Sequence, residues 1–134
     1  MAYYIDTSAL VKMLVVEQYS SELVTWVRSM NPAFAASDLL RIEALRSARR
    51  IGSRVVRATR DALRFVNFIA LSSEVCELAA DLEPAVLRSL DAAHIASALI
   101  IGDDLEGVVT YDHRLAEGCA NLGLNVVAPG VTPA

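Results

Sequence analysis

Short apolar runs alternate along the chain with longer stretches of helical period. Ala2-Tyr3-Tyr4-Ile5 is β-rich and stops at Asp6-Thr7-Ser8, a polar cluster able to cap a helix running to about Val16. From Ser20, the residues Leu23, Trp26, Val27 and Met30 recur at helical spacing until Asn31-Pro32 ends the pattern. Ala33 to Ala36 is a second short apolar run. Ser37-Asp38 follows as a capping pair, and Leu39, Ile42, Leu45 and Ala48 carry a helix to Ile51, before Gly52. Ser53 to Phe68 predicts another amphipathic helix, in which Val56, Leu63 and Val66 oppose arginines, with a third strand at Ile69-Ala70-Leu71. Ser72 or Ser73 can cap a helix through Leu82, and after Pro84 a further helix is expected from Ser89 to Ile101. Gly107-Val108-Val109-Thr110 is the clearest strand, Asp112 to Leu122 a helix, and Asn125 to Ala128 a last short strand. Strands alternating with helices in this manner predict an α/β fold, a central parallel sheet flanked by helices on both faces. No repeat or linker divides the pattern, so one domain is expected over residues 1–134.

Composition narrows the class. The 134 residues are 54% hydrophobic and 21% charged with a net charge of -4, enough for one core without disulfides or structural metal. The longest apolar stretches, such as Ile95 to Ile101, fall far short of the roughly 20 residues that cross a bilayer. Met1 to Asp6 has no basic n-region, so a cytoplasmic protein with no membrane partner is expected. Cys76 and Cys119 lie far apart in apolar helical patterns and read as buried free thiols, and no Cys or His shows zinc-site spacing.

Charge is uneven. Between Arg41 and Arg64 eight arginines face only Glu43 and Asp61, so this segment carries +6 and the remainder -10. A basic stretch on an acidic protein suits a polyanion held against one surface, and it equally suits a solvated helix face with ion pairs.

In parallel α/β sheets ligands bind at the carboxyl ends of the strands. Four acids fall near such positions: Asp6 and Asp112 just after strands, Glu43 in the second turn of the helix after the second strand, and Asp91 in the first turn of a later helix. Singly, each has a structural explanation as a helix cap, a residue suited to the helix dipole, or an ion-pair partner of Arg46 or Arg50. Together, four carboxylates without equal positive charge are costly unless a cation neutralises them. Hard oxygen ligands suit Mg²⁺ or Mn²⁺, and such ions serve phosphodiester hydrolysis.

The segments that carry these acids, Tyr4-Ile5-Asp6-Thr7-Ser8-Ala9-Leu10, Ser37-Asp38-Leu39-Leu40-Arg41-Ile42-Glu43, Leu90-Asp91-Ala92-Ala93-His94-Ile95-Ala96 and Val109-Thr110-Tyr111-Asp112-His113-Arg114-Leu115, resemble in order and spacing the PIN-domain nucleases, most closely the VapC-type ribonuclease toxins. The resemblance runs from Tyr4 to about Pro129. It implies a single PIN-like domain, metal-dependent endonucleolytic cleavage of RNA with Mg²⁺ or Mn²⁺, and Asp6, Glu43, Asp91 and Asp112 as catalytic and metal-binding residues. It also implies a VapB-type antitoxin and a homodimer. Asp6 and Asp91 would be the main ligands, Glu43 would hold an ion or its water, and Asp112 would complete the site or orient the attacking water. Thr7, Ser8 and Thr110 match hydroxyl positions beside the quartet, with capping or strand-end hydrogen bonding as an alternative role. Arg46, Arg50 and Arg114 are candidate phosphate contacts. His94 reads as a packed or hydrogen-bonded imidazole, His113 as exposed. The apolar helix faces carrying Leu10, Met13, Leu14, Leu23 and Trp26 are candidates for an antitoxin groove or for core.

A receiver domain would need paired acids after its first strand and a late Lys, yet the only Lys is Lys12. A HAD-type phosphatase would need a second Asp where Ser8 stands. The competing readings are a PIN-fold module that binds RNA or a partner without catalysis, and a metal-dependent DNA or flap nuclease.

Overall fold

The computed structural model describes residues 1–132. Five parallel strands, β1 (Ala2–Ile5), β2 (Ala33–Ser37), β3 (Val66–Ile69), β4 (Leu105–Val109) and β5 (Val126–Val127), form one sheet in the order β3-β2-β1-β4-β5. Among the described residues, seven α-helices connect them: α1 (Thr7–Leu14), α2 (Ser20–Met30), α3 (Leu39–Ile51), α4 (Ser53–Leu63), α5 (Ser73–Asp81), α6 (Ser89–Ile101) and α7 (His113–Asn121). Contacts sort the helices into two groups, α1 with α2, α3 and α4, and α6 with α5 and α7.

The central strand β1 and helix α6 show why this sequence takes this form. Tyr4 and Ile5 are fully buried, as a middle strand covered on both faces requires. On α6 every residue from Ala92 to Ala98 is buried, and the small side chains of Ala92, Ala93, Ala96 and Ala98 let this helix lie close against the sheet. Its one buried hydroxyl, on Ser97, donates to the Ala93 carbonyl at 2.8 Å. Leu10, Leu23, Leu40, Ile95, Val108, Val109 and Leu115 complete the core.

Three expectations are corrected. The helix after Ser53 ends at Leu63, and Val66–Ile69 is strand rather than helix. Leu63 and Val66 imitate a helical i, i+3 pair, but Val66 and Phe68 pair with Phe34 and Ala36 of β2 in strand register. The first helix stops at Leu14, because Ser20 Oγ donates to the Val15 carbonyl and accepts from Glu17 N–H, pinning the chain in a loop that exposes Val16. Cys119 is buried as expected, whereas Cys76 is exposed on the outer side of α5. Of the two roles open to the α1 and α2 faces, core is the one these residues take: Leu10 and Leu23 are sealed in it, and Met13, Leu14 and Trp26, partly buried, pack against it.

Candidate active site at the switch point of the sheet

Strand order reverses at β1, whose neighbours β2 and β4 leave in opposite directions, and a cleft of about 390 Å³ opens at the carboxyl ends there. Asp6, Glu43, Asp91 and Asp112 all line it, with Thr7, Ser8, Arg88, Ser89, Leu90, His94, Arg114 and Leu115.

Asp6 follows β1 and is 5% exposed. Its Oδ1 accepts from the Ala9 amide at 3.1 Å, capping α1, and from Ser8 Oγ at 2.7 Å; its Oδ2 accepts from Thr110 Oγ1 at 2.7 Å. Capping and membership of the site are therefore one arrangement. Burial pushes the Asp6 carboxyl above the usual range, and the hydrogen bonds from Ser8, Thr110 and Ala9 oppose that shift. Thr110 also accepts from Asp112 N at 3.1 Å, and Ser8 Oγ accepts from Tyr111 N at 2.9 Å, so two hydroxyls tie the end of β4 to the end of β1. Asp112 caps α7 through Oδ1, which accepts from Arg114 N and Leu115 N at 2.9 and 3.0 Å.

Glu43, one turn into α3, is held from two sides. Thr7 Oγ1 donates to its Oε1 at 3.1 Å, and His94 Nε2 lies 2.7 Å from the same oxygen. Burial raises the Glu43 carboxyl, but His94 and Thr7 outweigh it and hold the group below the usual range. Glu43 is thus a carboxylate, and Nε2 must carry the hydrogen in the contact. In the neutral ring that tautomer leaves Nδ1 as the acceptor, and the phenol of Tyr4 donates to it at 2.6 Å while its own oxygen accepts from the Ser37 amide at 3.0 Å. Burial pushes the Tyr4 hydroxyl upward, so it keeps its proton. A directed chain results: Ser37 amide to Tyr4 to His94 to Glu43.

Asp91 differs from the other three. Its Oδ2 is buried and has no hydrogen-bond partner among the described residues. Burial first, and then the negative charge of Asp112, push its carboxyl upward, against the opposing pull of Arg114, His94 and Arg88. Among the described residues no three carboxylates or imidazoles gather tightly enough to enclose an ion by themselves. The quartet borders a cleft rather than closing on a point.

Sequence reasoning placed the four acids, Thr7, Ser8 and Arg114 at this cleft, and Thr110 directly behind Asp6. The structural alternative for Glu43, an ion pair with Arg46 or Arg50, is not formed; Glu43 is hydrogen-bonded to His94 instead. Arg46 and Arg50 are exposed on α3 outside the cleft, and Arg50 Nη2 reaches only Ser47 Oγ at 3.5 Å. Arg88 and the role of Tyr4 were missed. A signal existed for each: Arg88 stands three residues before Asp91, and the strand period puts Tyr4 on the side of Asp6. His113 is exposed.

An open parallel α/β sheet with carboxylates gathered at its switch point defines the class. The PIN domain model matches residues 3–120. Ribonuclease VapC47 of Mycobacterium tuberculosis (strain CDC 1551 / Oshkosh) is 41% identical over 132 residues, covering 95% of this chain and 96% of that protein. Ribonuclease VapC46 of Mycobacterium tuberculosis (strain ATCC 25618 / H37Rv) is 38% identical over 128 residues, covering 96% and 98%. A toxin-antitoxin complex from Klebsiella pneumoniae superposes with a TM-score of 0.74 at 23% identity over 96% of this chain and 98% of that one. VapC20 of Mycobacterium tuberculosis, a sarcin-ricin loop cleaving toxin, does so with 0.74 at 17% identity over 96% and 100%. These two structures share the fold. The chain belongs to the PIN-domain family, within its VapC-type group.

Proposed function

We propose that the chain is a divalent-metal-dependent endoribonuclease, hydrolysing RNA phosphodiester bonds, and the toxin of a toxin-antitoxin pair. The observation that carries this reading is the convergence of Asp6, Glu43, Asp91 and Asp112 on one cleft, with Asp91 Oδ2 buried and lacking any donor. A buried carboxylate oxygen without a partner is costly, and a cation answers that cost. The donor set is all oxygen, which suits Mg²⁺ or Mn²⁺, ions that take one or two carboxylates and keep several waters. Asp6 and Asp91 would hold the ion directly, and Glu43 and Asp112 its surrounding waters. Bound there, the ion supplies positive charge at the phosphoryl oxygens and lowers the pKa of the attacking water.

The remaining chemistry belongs to the chain itself. Ser8 and Thr110 fix the plane of the Asp6 carboxylate, and both donors to Glu43 fall on Oε1, leaving Oε2 for water or ion. Asp112 spends Oδ1 on the cap of α7 and keeps Oδ2 to orient the attacking water. Arg88 and Arg114 border the acids and offer guanidinium groups to phosphates. The relatives named ribonucleases and the toxin-antitoxin complex support the same reading, including an antitoxin partner and an RNA substrate. A homodimer and one PIN-like domain across residues 1–134 complete it. Among the described residues no helix is long and apolar enough to cross a membrane.

The test is cleavage of a mixed single-stranded RNA pool. EDTA should silence it, Mg²⁺ or Mn²⁺ should restore it, and Mn²⁺ alone should raise the melting temperature by mass action. Cleavage persisting in excess EDTA would reject the metal-dependent mechanism, and equal cleavage of single-stranded DNA would move the chain to the DNA nucleases. Light scattering across micromolar concentrations, and co-purification with the product of the adjoining gene, test the dimer and the antitoxin.

A further inference from the structure

We propose that a second pocket, sharing Arg88 and Arg114 with the acid cleft, is the subsite for the base next to the cleaved bond, and that it selects a base presenting N–H donors. This inference rests on the ribonuclease reading. The pocket measures about 240 Å³ and is lined by Pro84, Val86, Leu87, Arg88, Arg114, Glu117, Gly118 and Asn121. The two arginines are thus the wall between the pocket and the carboxylates. A nucleotide whose phosphate lies between these guanidinium groups has its scissile bond on the acid side and its base on the other.

The pocket is built as a base site would be. Arg114, Glu117, Gly118 and Asn121 stand at i, i+3, i+4 and i+7 of α7, one stripe of the helix facing the segment before α6. Gly118 matters here, because a Cβ at that position would meet Ile95 Cδ1 at 2.9 Å and Leu87 Cδ1 at 3.2 Å. The glycine lets Leu87 lie against α7 as an apolar floor, with Val86, 88% exposed, at the rim. Glu117 and Asn121 are exposed and make no side-chain hydrogen bond or ion pair among the described residues. They are free to meet the edge of a base whose face rests on Leu87, the usual mode of single-strand reading.

Their chemistry sets a preference. A carboxylate only accepts, so Glu117 requires donors opposite it. Guanine offers two adjacent donors, N1–H and the N2 amino group, which match both carboxylate oxygens. Uracil offers one N–H flanked by two carbonyl oxygens, which repel a carboxylate. Asn121, with one acceptor and one donor group, can take either remaining edge.

Cleavage sites mapped by sequencing on a random single-stranded RNA pool decide the matter. At one position beside the cut, guanine should be enriched and uracil depleted. Glu117→Gln should flatten this preference by about 10-fold, the worth of a bidentate base contact, and Asn121→Ala should weaken it. Glu74→Gln, the same charge change at an exposed position of α5, should leave the profile unaltered. A second readout avoids turnover: Asp91→Asn protein should bind a short oligonucleotide with guanine at that position more tightly than its uracil counterpart by fluorescence anisotropy, and adding Glu117→Gln should erase the difference. Wild-type profiles for both Glu117→Gln and Asn121→Ala, or the same flattening by Glu74→Gln, would overturn the subsite while leaving the nuclease standing. A wild-type protein that cuts no RNA removes the ribonuclease reading and the subsite together.

Discussion

The acid cleft and the arginine-rich flank handle charge in opposite ways. Around the cleft, three of the four carboxylates are held by fixed donors: three on Asp6, two backbone amides on Asp112, a hydroxyl and an imidazole on Glu43. On α3 and α4, Arg46, Arg49, Arg50, Arg54, Arg57, Arg60 and Arg64 extend into solvent. Among the described residues, Arg41 is the arginine there that pairs with a carboxylate, 3.1 Å from Asp38, and it stacks 3.6 Å above the Phe68 ring. Negative charge is therefore preorganised where burial makes it expensive, and positive charge is left mobile where water makes it cheap. A rigid acid site suits chemistry, and a mobile basic flank suits long-range attraction of a polyanion.

Breaking the rigid side should have the largest effect. Asp91→Asn or Asp6→Asn should abolish metal-dependent RNA cleavage while circular dichroism shows a folded protein, since asparagine at position 6 retains the capping oxygen of α1 and Asp91 caps no helix. Full activity in either variant would remove that carboxylate from the site.

Next comes the support behind Glu43. His94→Leu should cost cleavage about 100-fold and Tyr4→Phe about 10-fold, the range for partners that orient metal-site ligands. His94→Gln, which can place an N–H near the Nε2 position, should recover part of the loss. Long-range ¹H–¹⁵N spectra should find hydrogen on Nε2 of His94 in the wild type; hydrogen on Nδ1 would contradict the directed chain from Ser37.

Acidity should separate the two regions by stability. Burial raises the carboxyls of Asp6 and Asp91, so their protonated forms are favoured in the folded state. Each group then destabilises the metal-free protein once ionised, and the melting temperature should rise as pH falls from neutral through their raised pKa values. Asp6→Asn should melt higher than wild type at pH 7 and show a smaller rise. Glu43, held below its usual range, acts in the opposite direction at lower pH, where its contribution is lost as it protonates. A melting temperature that does not rise as pH falls from neutral toward the ordinary carboxylate range would show that the cleft carries no such strain.

The smallest expected effects belong to the mobile side. In the Asp6→Asn background, Arg46→Ala or Arg50→Ala should each reduce the slope of log affinity against log salt by about 0.7 if it meets a phosphate of single-stranded RNA. Arg88→Ala and Arg114→Ala, beside the acids, should do the same and also weaken binding more at fixed salt. Unchanged slopes for Arg46 and Arg50 together with changed slopes for Arg88 and Arg114 would confine the RNA track to the cleft.

What was legible in the sequence follows the same division. Asp6 and Asp112 each end a strand and cap a helix, so local grammar alone fixed their place, and Ser89–Ile101 is bounded as its pattern requires. Arg46 and Arg50 lie near the angular face of Glu43, but α3 begins at the cleft and rises about 1.5 Å per residue, which carries them one and two turns away from the strand ends. Spacing reports angle; it does not report which end of a helix meets the site. Val66–Ile69 escaped because four residues of an edge strand, paired on one side only, give too little alternation to outvote the helical period before them. Arg88 escaped because its role depends on α7 arriving beside it, a tertiary fact.

The middle position of β1 also governs timing. Residues 2–69 can assemble β1, β2 and β3 early, but the other edge of β1 stays open until β4 pairs with it, Ile5 against Val109. That closure spans more than a hundred residues, and such distant contacts form late because chain entropy opposes them. Thr110 and Asp112 arrive only with β4. A nascent or clipped chain lacking that strand therefore holds Asp6 without its Thr110 donor and has no Asp112, and it has no competent nuclease site. In a stopped-flow refolding experiment, cleavage activity should appear in the slowest phase, together with burial at the β1–β4 seam, and never ahead of it.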